Sequence, residues 1–253
     1  MSKFARYAVG AAVFLGCVPF AAAEEWSGEG SLSAGSTTGN TETTDLGIGF
    51  KLARDAQLWT TNLEALADYA EAEGQETKNR LFGAAQLDRQ LTDRAYGFGR
   101  FSHERDEFSG FESRTFAGVG AGYQVFDGDR TFWSVEAGPG FKIDEIGETT
   151  TGDAMGMTAL MPGETVESVS FIAASNYAFE FNDNVRFTND TDGIYAEEST
   201  QFINTAAVTA TLIDALSARF SFDIRHDTNP PAGFESTDTA TRISLVYTMG
   251  AGG

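Results

Sequence analysis

The sequence of 253 residues contains two histidines, and acidic residues accompany both of them. His103 lies in the run Ser102–Asp106, which reads Ser-His-Glu-Arg-Asp, and His226 directly precedes Asp227. Serine–histidine and aspartate–histidine groups can activate a nucleophile for hydrolysis. No Gly-x-Ser-x-Gly motif or other nucleophile motif accompanies them. We therefore predict that neither histidine is catalytic and that the protein is not an enzyme.

A second candidate for chemistry is the acidic segment Asn189–Gly193, which Glu197 and Glu198 follow. It resembles part of a calcium-binding loop, but the glycine fixes a register that places Thr188 and Ser199 at the first and last ligand positions. One cysteine and two histidines also leave no set of ligands for a His/Cys zinc site. We expect a solvated acidic loop here, and neither a metal nor a cofactor.

The charge balance excludes one class of partner. The chain carries 37 acidic and 17 basic residues, which gives a formal net charge of −20. A chain this acidic repels phosphate backbones, so nucleic acid is not an expected partner.

The elements that must position these charges are β-strands, because apolar residues recur at every second position over long stretches. Segments 46–52, 133–143 and 216–224 alternate in this way, with glycine, serine or charged residues between the apolar ones. Runs of this length are about twice the usual soluble strand of ~5–6 residues. Two architectures fit such strands: a soluble antiparallel sheet, as in a secreted β-sandwich, and a transmembrane barrel with its apolar face toward lipid.

The placement of aromatic residues favours the barrel. Trp59 and Tyr69 share one face of a strand, and mostly small residues lie between them. Ten residue steps at ~3.3 Å each, tilted by ~40°, span about 25 Å, which is the height of the lipid-facing band between two aromatic girdles. The aromatics that we predict at the lipid interface are Trp59, Tyr69, Trp133, Phe141 and Tyr247.

Connection lengths also favour the barrel. Short turns are predicted near residues 55–57, 91–93, 127–129, 182–184 and 213–214, and they alternate with longer loops at 36–43, 70–77, 106–113, 145–165, 192–199 and 227–237. An even number of strands with long connections on one side is typical of outer-membrane proteins. The sequence therefore predicts an all-β protein, a single antiparallel transmembrane β-barrel of about twelve strands, with loop 145–164 outside the cell.

The first residues predict export. Lys3 and Arg6 precede the apolar stretch Tyr7–Val18, and Ala21–Ala23 form a small-residue cleavage site. We expect residues 1–23 to be a signal peptide and residues 24–253 to form the barrel in the outer membrane of a Gram-negative bacterium. In an alternative interpretation, Cys17 is the lipid-modified N-terminus of a lipoprotein.

Two segments resemble the salt-induced outer membrane protein family. The first is Trp26–Thr41, with the turn Gly-Asn-Thr, and the second is Tyr96–Phe111, followed by Arg114 and the Gly-Val-Gly-Ala-Gly-Tyr segment 118–123. The resemblance covers essentially the whole predicted mature chain. It implies a bacterial outer-membrane barrel, and little about activity. The chain departs from this pattern at its end, where Gly250–Gly253 follow Met249 in place of a terminal aromatic.

Candidate lumen residues follow from the cost of a charge facing lipid, roughly 2–4 kcal/mol for Arg or Lys near mid-membrane. Charged residues on the face opposite the apolar one should point inward: Glu29, Asp45, Lys51, Glu64, Asp68, Arg80, Asp88, Arg100, Glu104, Glu136, Lys142, Arg186, Arg219, Asp223, Arg225 and Arg242. They could line a passive channel that favours small cations. Alternatively, they could form ion pairs that brace a non-conducting barrel. The expected partners are outer-membrane lipid, the barrel-assembly machinery and, for a channel, small ions or solutes.

Overall fold

A computed structural model describes residues 26–38, 43–72, 75–152 and 158–250. The chain folds into strands β1 (Trp26–Thr38), β2 (Thr43–Ala56), β3 (Trp59–Ala72), β4 (Gln75–Gln90), β5 (Ala95–Asp106), β6 (Phe111–Asp127), β7 (Thr131–Ile146), β8 (Thr149–Gly152), β9 (Thr158–Met161), β10 (Glu164–Asn182), β11 (Val185–Ala196), β12 (Gln201–Ile213), β13 (Leu216–Asp227) and β14 (Thr237–Met249). The described residues include no helix that is long and apolar enough to cross a membrane.

Twelve of these strands form one closed antiparallel barrel, which confirms the predicted fold. Each barrel strand pairs with its neighbours in sequence, and β1 closes the ring against β14 in the register Gly30↔Tyr247. Closure leaves no unpaired strand edge, as a wall in contact with lipid requires. The remaining strands, β8 and β9, form a separate hairpin between β7 and β10. The predicted signal peptide and Cys17 lie outside the described residues.

Side chains alternate between the two faces of the wall as the sequence pattern predicts. In β2 the apolar side chains of Leu46, Ile48 and Phe50 are exposed on the outer surface, whereas Asp45 is buried inside. This is the reverse of a soluble protein, and it suits a barrel whose outer surface contacts lipid.

The strands extend further at one end than the sequence predicts. We call this end, which carries the connections 107–110, 147–163, 197–200 and 228–236, the loop end; the turn end carries 57–58, 91–94, 128–130, 183–184 and 214–215. Several expected loops are therefore short connections between longer strands. In particular, the prediction of an acidic loop at 189–193 is wrong, because β11 continues to Ala196. The alternation of side chains along β11 explains why this strand is longer than predicted, because Asp190 and Asp192 take inward positions, as Ile194 does.

The interior of the wall formed by β5, β6 and β7 is packed with aromatic rings that lie on glycines. Tyr96, Phe98 and Phe116 form a buried cluster with Ile172 and Ile194. A Cβ atom added to Gly120 would lie 2.7 Å from the ring of Phe98, and one added to Gly140 would lie 2.5 Å from that of Phe116. These inward glycines therefore make room for the rings, in line with the interpretation that Gly118, Gly120 and Gly122 relieve crowding inside the barrel.

Candidate functional site

The lumen is the candidate functional site. The structure places the sixteen charged candidates at inward positions of their strands: Glu29, Asp45, Lys51, Glu64, Asp68, Arg80, Asp88, Arg100, Glu104, Glu136, Lys142, Arg186, Arg219, Asp223, Arg225 and Arg242. They form two groups, one toward the loop end and one toward the turn end.

Glu104 is the centre of the loop-end group. Its Oε1 atom accepts hydrogen bonds from Arg80 Nε and from Arg225 Nη1, each at 2.5 Å. Arg80 is on the neighbouring strand β4, but Arg225 is on β13, six positions from β5 in the ring of twelve strands. The ion pair between Glu104 and Arg225 therefore spans the lumen between opposite walls.

Arg242 extends this group along the wall. Its guanidinium donates to Asp223 and, at 3.2 Å, to Asp68 Oδ2, which also accepts from Arg80 Nη1 at 3.2 Å. Asp45 is almost fully buried and accepts a hydrogen bond from Lys78 Nζ at 3.1 Å. The charges from β13 round to β5 thus form one connected network.

A second connection crosses the lumen at the loop end. Arg114 on β6 donates to Asp227 on β13 and lies 3.8 Å from Asp144. Lys142 pairs with Asp144 at 2.8 Å and donates to the backbone oxygen of Ser199, whose hydroxyl donates to Asp227 at 2.6 Å.

Sequence reasoning missed several of these residues as lumen candidates. Asp192 and Asp227 fell in or beside predicted loops, and Ser199 carries no charge. Arg114 and Asp144 are different, because they lie at the same alternate positions as the inward residues Gly118 and Lys142 of their own strands. Applying the alternation rule to the full length of β6 and β7 would have found both.

The turn-end group contains shorter-range pairs. Arg219 forms two hydrogen bonds of 2.7 Å to Glu29, and Lys51 lies 3.5 Å from Glu64. A longer connection joins Arg100 to Asp192 at 2.6 Å, four positions apart in the ring.

Asp88 and Glu136 differ from the other carboxylates because their hydrogen-bond partners are neutral. Gln86 Nε2 donates to Asp88 at 3.0 Å and to Glu136 at 2.9 Å. Tyr96 donates to Glu136 at 2.8 Å, and Asn62 donates to Asp88 at 3.2 Å. Among the described residues, neither carboxylate forms an ion pair. Nor do those residues contain a group of three or more His, Cys, Asp or Glu that could hold a metal ion.

Both histidines lie on the outer face of the wall, away from these carboxylates. His103 Nδ1 lies 2.9 Å from Thr115 Oγ1, and His226 Nδ1 lies 2.8 Å from Thr237 Oγ1. In each case the threonine is the direct cross-strand partner. The structure does not bring either histidine together with Ser102, Glu104 or Asp227, which face inward.

The predicted interface aromatics lie on the outer surface. Trp59, Tyr69, Phe141 and Tyr247 are exposed there. Trp133 is half-buried, and its indole Nε1 donates to Ser175 Oγ at 3.0 Å. Trp59 lies toward the turn end of β3 and Tyr69 toward its loop end, as two girdles require.

The chain is similar to known proteins over most of its length. The uncharacterized protein YdiY of Escherichia coli K12 is 23% identical over 224 residues, which cover 87% of this chain and 83% of YdiY. Among solved structures, the NanC porin has a TM-score of 0.51 at 11% identity, covering 86% of this chain and 98% of NanC. The translocator domain of the autotransporter NalP from Neisseria meningitidis has a TM-score of 0.52 at 12% identity, covering 88% of each chain. These structures share the fold.

A family model matches residues 30–249, which include all of the barrel except the first four residues of β1. The matching model is described as Protein of unknown function, DUF481. The resemblance to an outer-membrane barrel family that the sequence suggested is confirmed. The chain belongs to the DUF481 family, and it is a β-barrel of the Gram-negative outer membrane, embedded in lipid.

Proposed function

We propose that this barrel is a passive channel of narrow bore that favours small cations. The observation that carries the proposal is that, in the part of the chain that the structure describes, the positive charges in the lumen mostly have ion-pair partners, whereas two of the carboxylates have none. Among the described residues, each inward lysine and arginine except Arg186 has a carboxylate oxygen within 4.0 Å. Near the turn end, Asp88 and Glu136 have only neutral donors and outnumber Arg186, so the uncompensated charge of these three residues is negative.

Such carboxylates would concentrate cations because a low-dielectric wall focuses their field along the lumen. Salt screens charges beyond ~8 Å at physiological ionic strength. Selectivity should therefore depend on Asp88 and Glu136, and not on the net charge of −20 for the whole chain.

Planar-bilayer recording under a salt gradient tests the proposal. We expect small conductance steps and a reversal potential on the cation-selective side. Glu136→Gln and Asp88→Asn should each move the reversal potential toward zero, because each removes one uncompensated negative charge.

The matched control is Glu167→Gln, which removes a carboxylate from the outer side of β10, where it does not face the lumen. This variant should leave the reversal potential unchanged. An anion-selective parent, or an equal shift in the Glu167 variant, would contradict the proposal.

The cross-lumen ion pairs favour a second candidate, a structural barrel that does not conduct. Glu104 with Arg225, and Arg114 with Asp227, occupy the lumen between distant walls. A purified barrel that inserts into bilayers and gives no conductance steps, even after Glu104→Gln, would support this candidate.

For either function, we propose that the barrel-assembly machinery inserts the chain into the outer membrane.

A further inference from the structure

The connection between β13 and β14, residues 228–236, crosses the mouth of the barrel at the loop end. It begins beside Asp227 and reaches the short turn 107–110, which joins β5 to β6. In the ring of strands, β14 and β6 are six positions apart, as are β13 and β5. The segment therefore connects opposite sides of the mouth.

The near side of this segment is held by hydrogen bonds to the adjacent loop. Thr228 N donates to Thr200 O at 3.0 Å, and Thr200 N donates to the Thr228 hydroxyl at 2.9 Å. Asn229 Nδ2 donates to Glu198 O at 3.0 Å. These contacts fix the first two residues of the segment to the β11–β12 connection.

On the far side, an aromatic ring of the segment packs against the turn. Phe234 lies against Gly110, and a Cβ added to Gly110 would be 2.6 Å from Phe234 Cδ2. Gly110 has a φ of +81°, so the turn itself also favours glycine at this position. The ring thus rests on backbone that no side chain covers.

Between the two sides, the segment combines stiff and flexible residues. Pro230 and Pro231 restrict the backbone, and Pro231 is buried. Gly233 has a φ of +93°, and a Cβ at this position would meet no atom within 4 Å. The glycine between the proline pair and Phe234 is therefore the flexible position of the segment.

The lumen narrows to a small space at the loop end, between the turn 107–110 and β14. A cavity of about 60 Å³ is bordered by Phe108 and Ser109 from the turn on one side and by Ala240 and Arg242 from β14 on the other. It has room for only a few water molecules. The pair of Glu104 and Arg225 lies on the same route into the barrel.

We propose that residues 228–236 form a lid that closes the loop end of the lumen, with Phe234 on Gly110 as its latch. Release of the ring opens the mouth, while the hydrogen bonds of Thr228 and Asn229 keep the near side attached. The consequence for conduction rests on the proposed channel function, but the lid itself does not.

A thiol placed beneath the lid reports on its closure without any measurement of current. Ala240 is buried, faces inward and borders the cavity, so Ala240→Cys introduces a nearly isosteric thiol. The probe is a small, charged maleimide added to the purified barrel in detergent. We expect slow labelling with the lid intact and labelling at least tenfold faster when Phe234→Ala is added.

Phe220→Ala is the matched control, because Phe220 is an exposed aromatic on the outer face of β13. Its labelling rate should equal that of the Ala240→Cys parent. A second lid variant replaces residues 230–235 with two glycines, and it should also label fast; the heat-dependent shift on SDS gels verifies that each variant is folded.

Two results would overturn the lid. One is an unchanged labelling rate in both lid variants, and the other is a parent that already labels as fast as a thiol introduced at the exposed residue Asp214. A barrel that gives no current but shows the predicted labelling would reject the channel and retain the lid.

Discussion

Glu104 is the residue on which the loop-end network depends most, because one of its oxygens accepts hydrogen bonds from two guanidinium groups. We expect Glu104→Gln to lower the free energy of unfolding by about 3 kcal/mol, since it removes the carboxylate that Arg80 and Arg225 share in a buried site. Urea unfolding followed by the gel shift measures this. The control is Glu107→Gln, which breaks an exposed pair with Arg105 and should cost at most about 1 kcal/mol. Equal losses in the two variants would contradict the assigned role of Glu104.

For the two histidines, we predict that substitution has no effect. Each lies within hydrogen-bond distance of a cross-strand threonine on the outer face, and among the described residues neither forms an ion pair with an acid. We expect His103→Ala and His226→Ala to leave the lipid A and phospholipid composition of the membrane unchanged, as judged by mass spectrometry of lipid extracts. A lipid modification or proteolytic activity that disappears in either variant would instead identify the protein as an enzyme.

At the scale of elements, the wall of β5, β6 and β7 depends on glycines that face inward. Gly120→Val would place side-chain atoms in the space of the Phe98 ring, so we expect little or no compact, heat-shiftable barrel on SDS gels. Gly99 faces outward, and a Cβ there would meet no atom within 4 Å. Gly99→Ala is therefore the control and should fold normally. Equal yields of folded barrel would show that the aromatic cluster tolerates rearrangement.

The strands also show which parts of the fold can be predicted from the sequence. Two-residue alternation identifies strands and their inward charges, because a period of two is a property of each strand alone. It failed at 189–193, where consecutive polar residues on both faces hide the alternation. The partners of the charges were also beyond reach: Arg225 could be assigned inward, but its contact with Glu104 depends on how strands from opposite walls are staggered around the ring. The placement of Phe98 on Gly120 depends on the same stagger.

For the whole molecule, we predict the orientation in the membrane. Short turns on one side and the long connection 147–163 on the other are typical of barrels whose long connections face the exterior. Protease added to intact cells should cut within 147–163 and nowhere in the turn 128–130. Cutting at 128–130 would show that the barrel is inverted. Amino-terminal sequencing of the same material should give Glu24 as the first residue if the predicted signal peptide is removed.

The ion pairs that join opposite walls also have a mechanical consequence. A closed sheet of twelve strands can flatten toward an ellipse when the surrounding lipid presses on it unevenly, because bending a hairpin costs less than breaking its hydrogen bonds. Glu104 with Arg225, and Arg114 with Asp227, oppose this deformation because each fixes the width of the cylinder along one diameter or near it. Such connections concentrate at the loop end. The cross-section should therefore stay nearly circular there and fluctuate in shape at the turn end, so that the barrel is stiffest at the end that we predict to face the exterior.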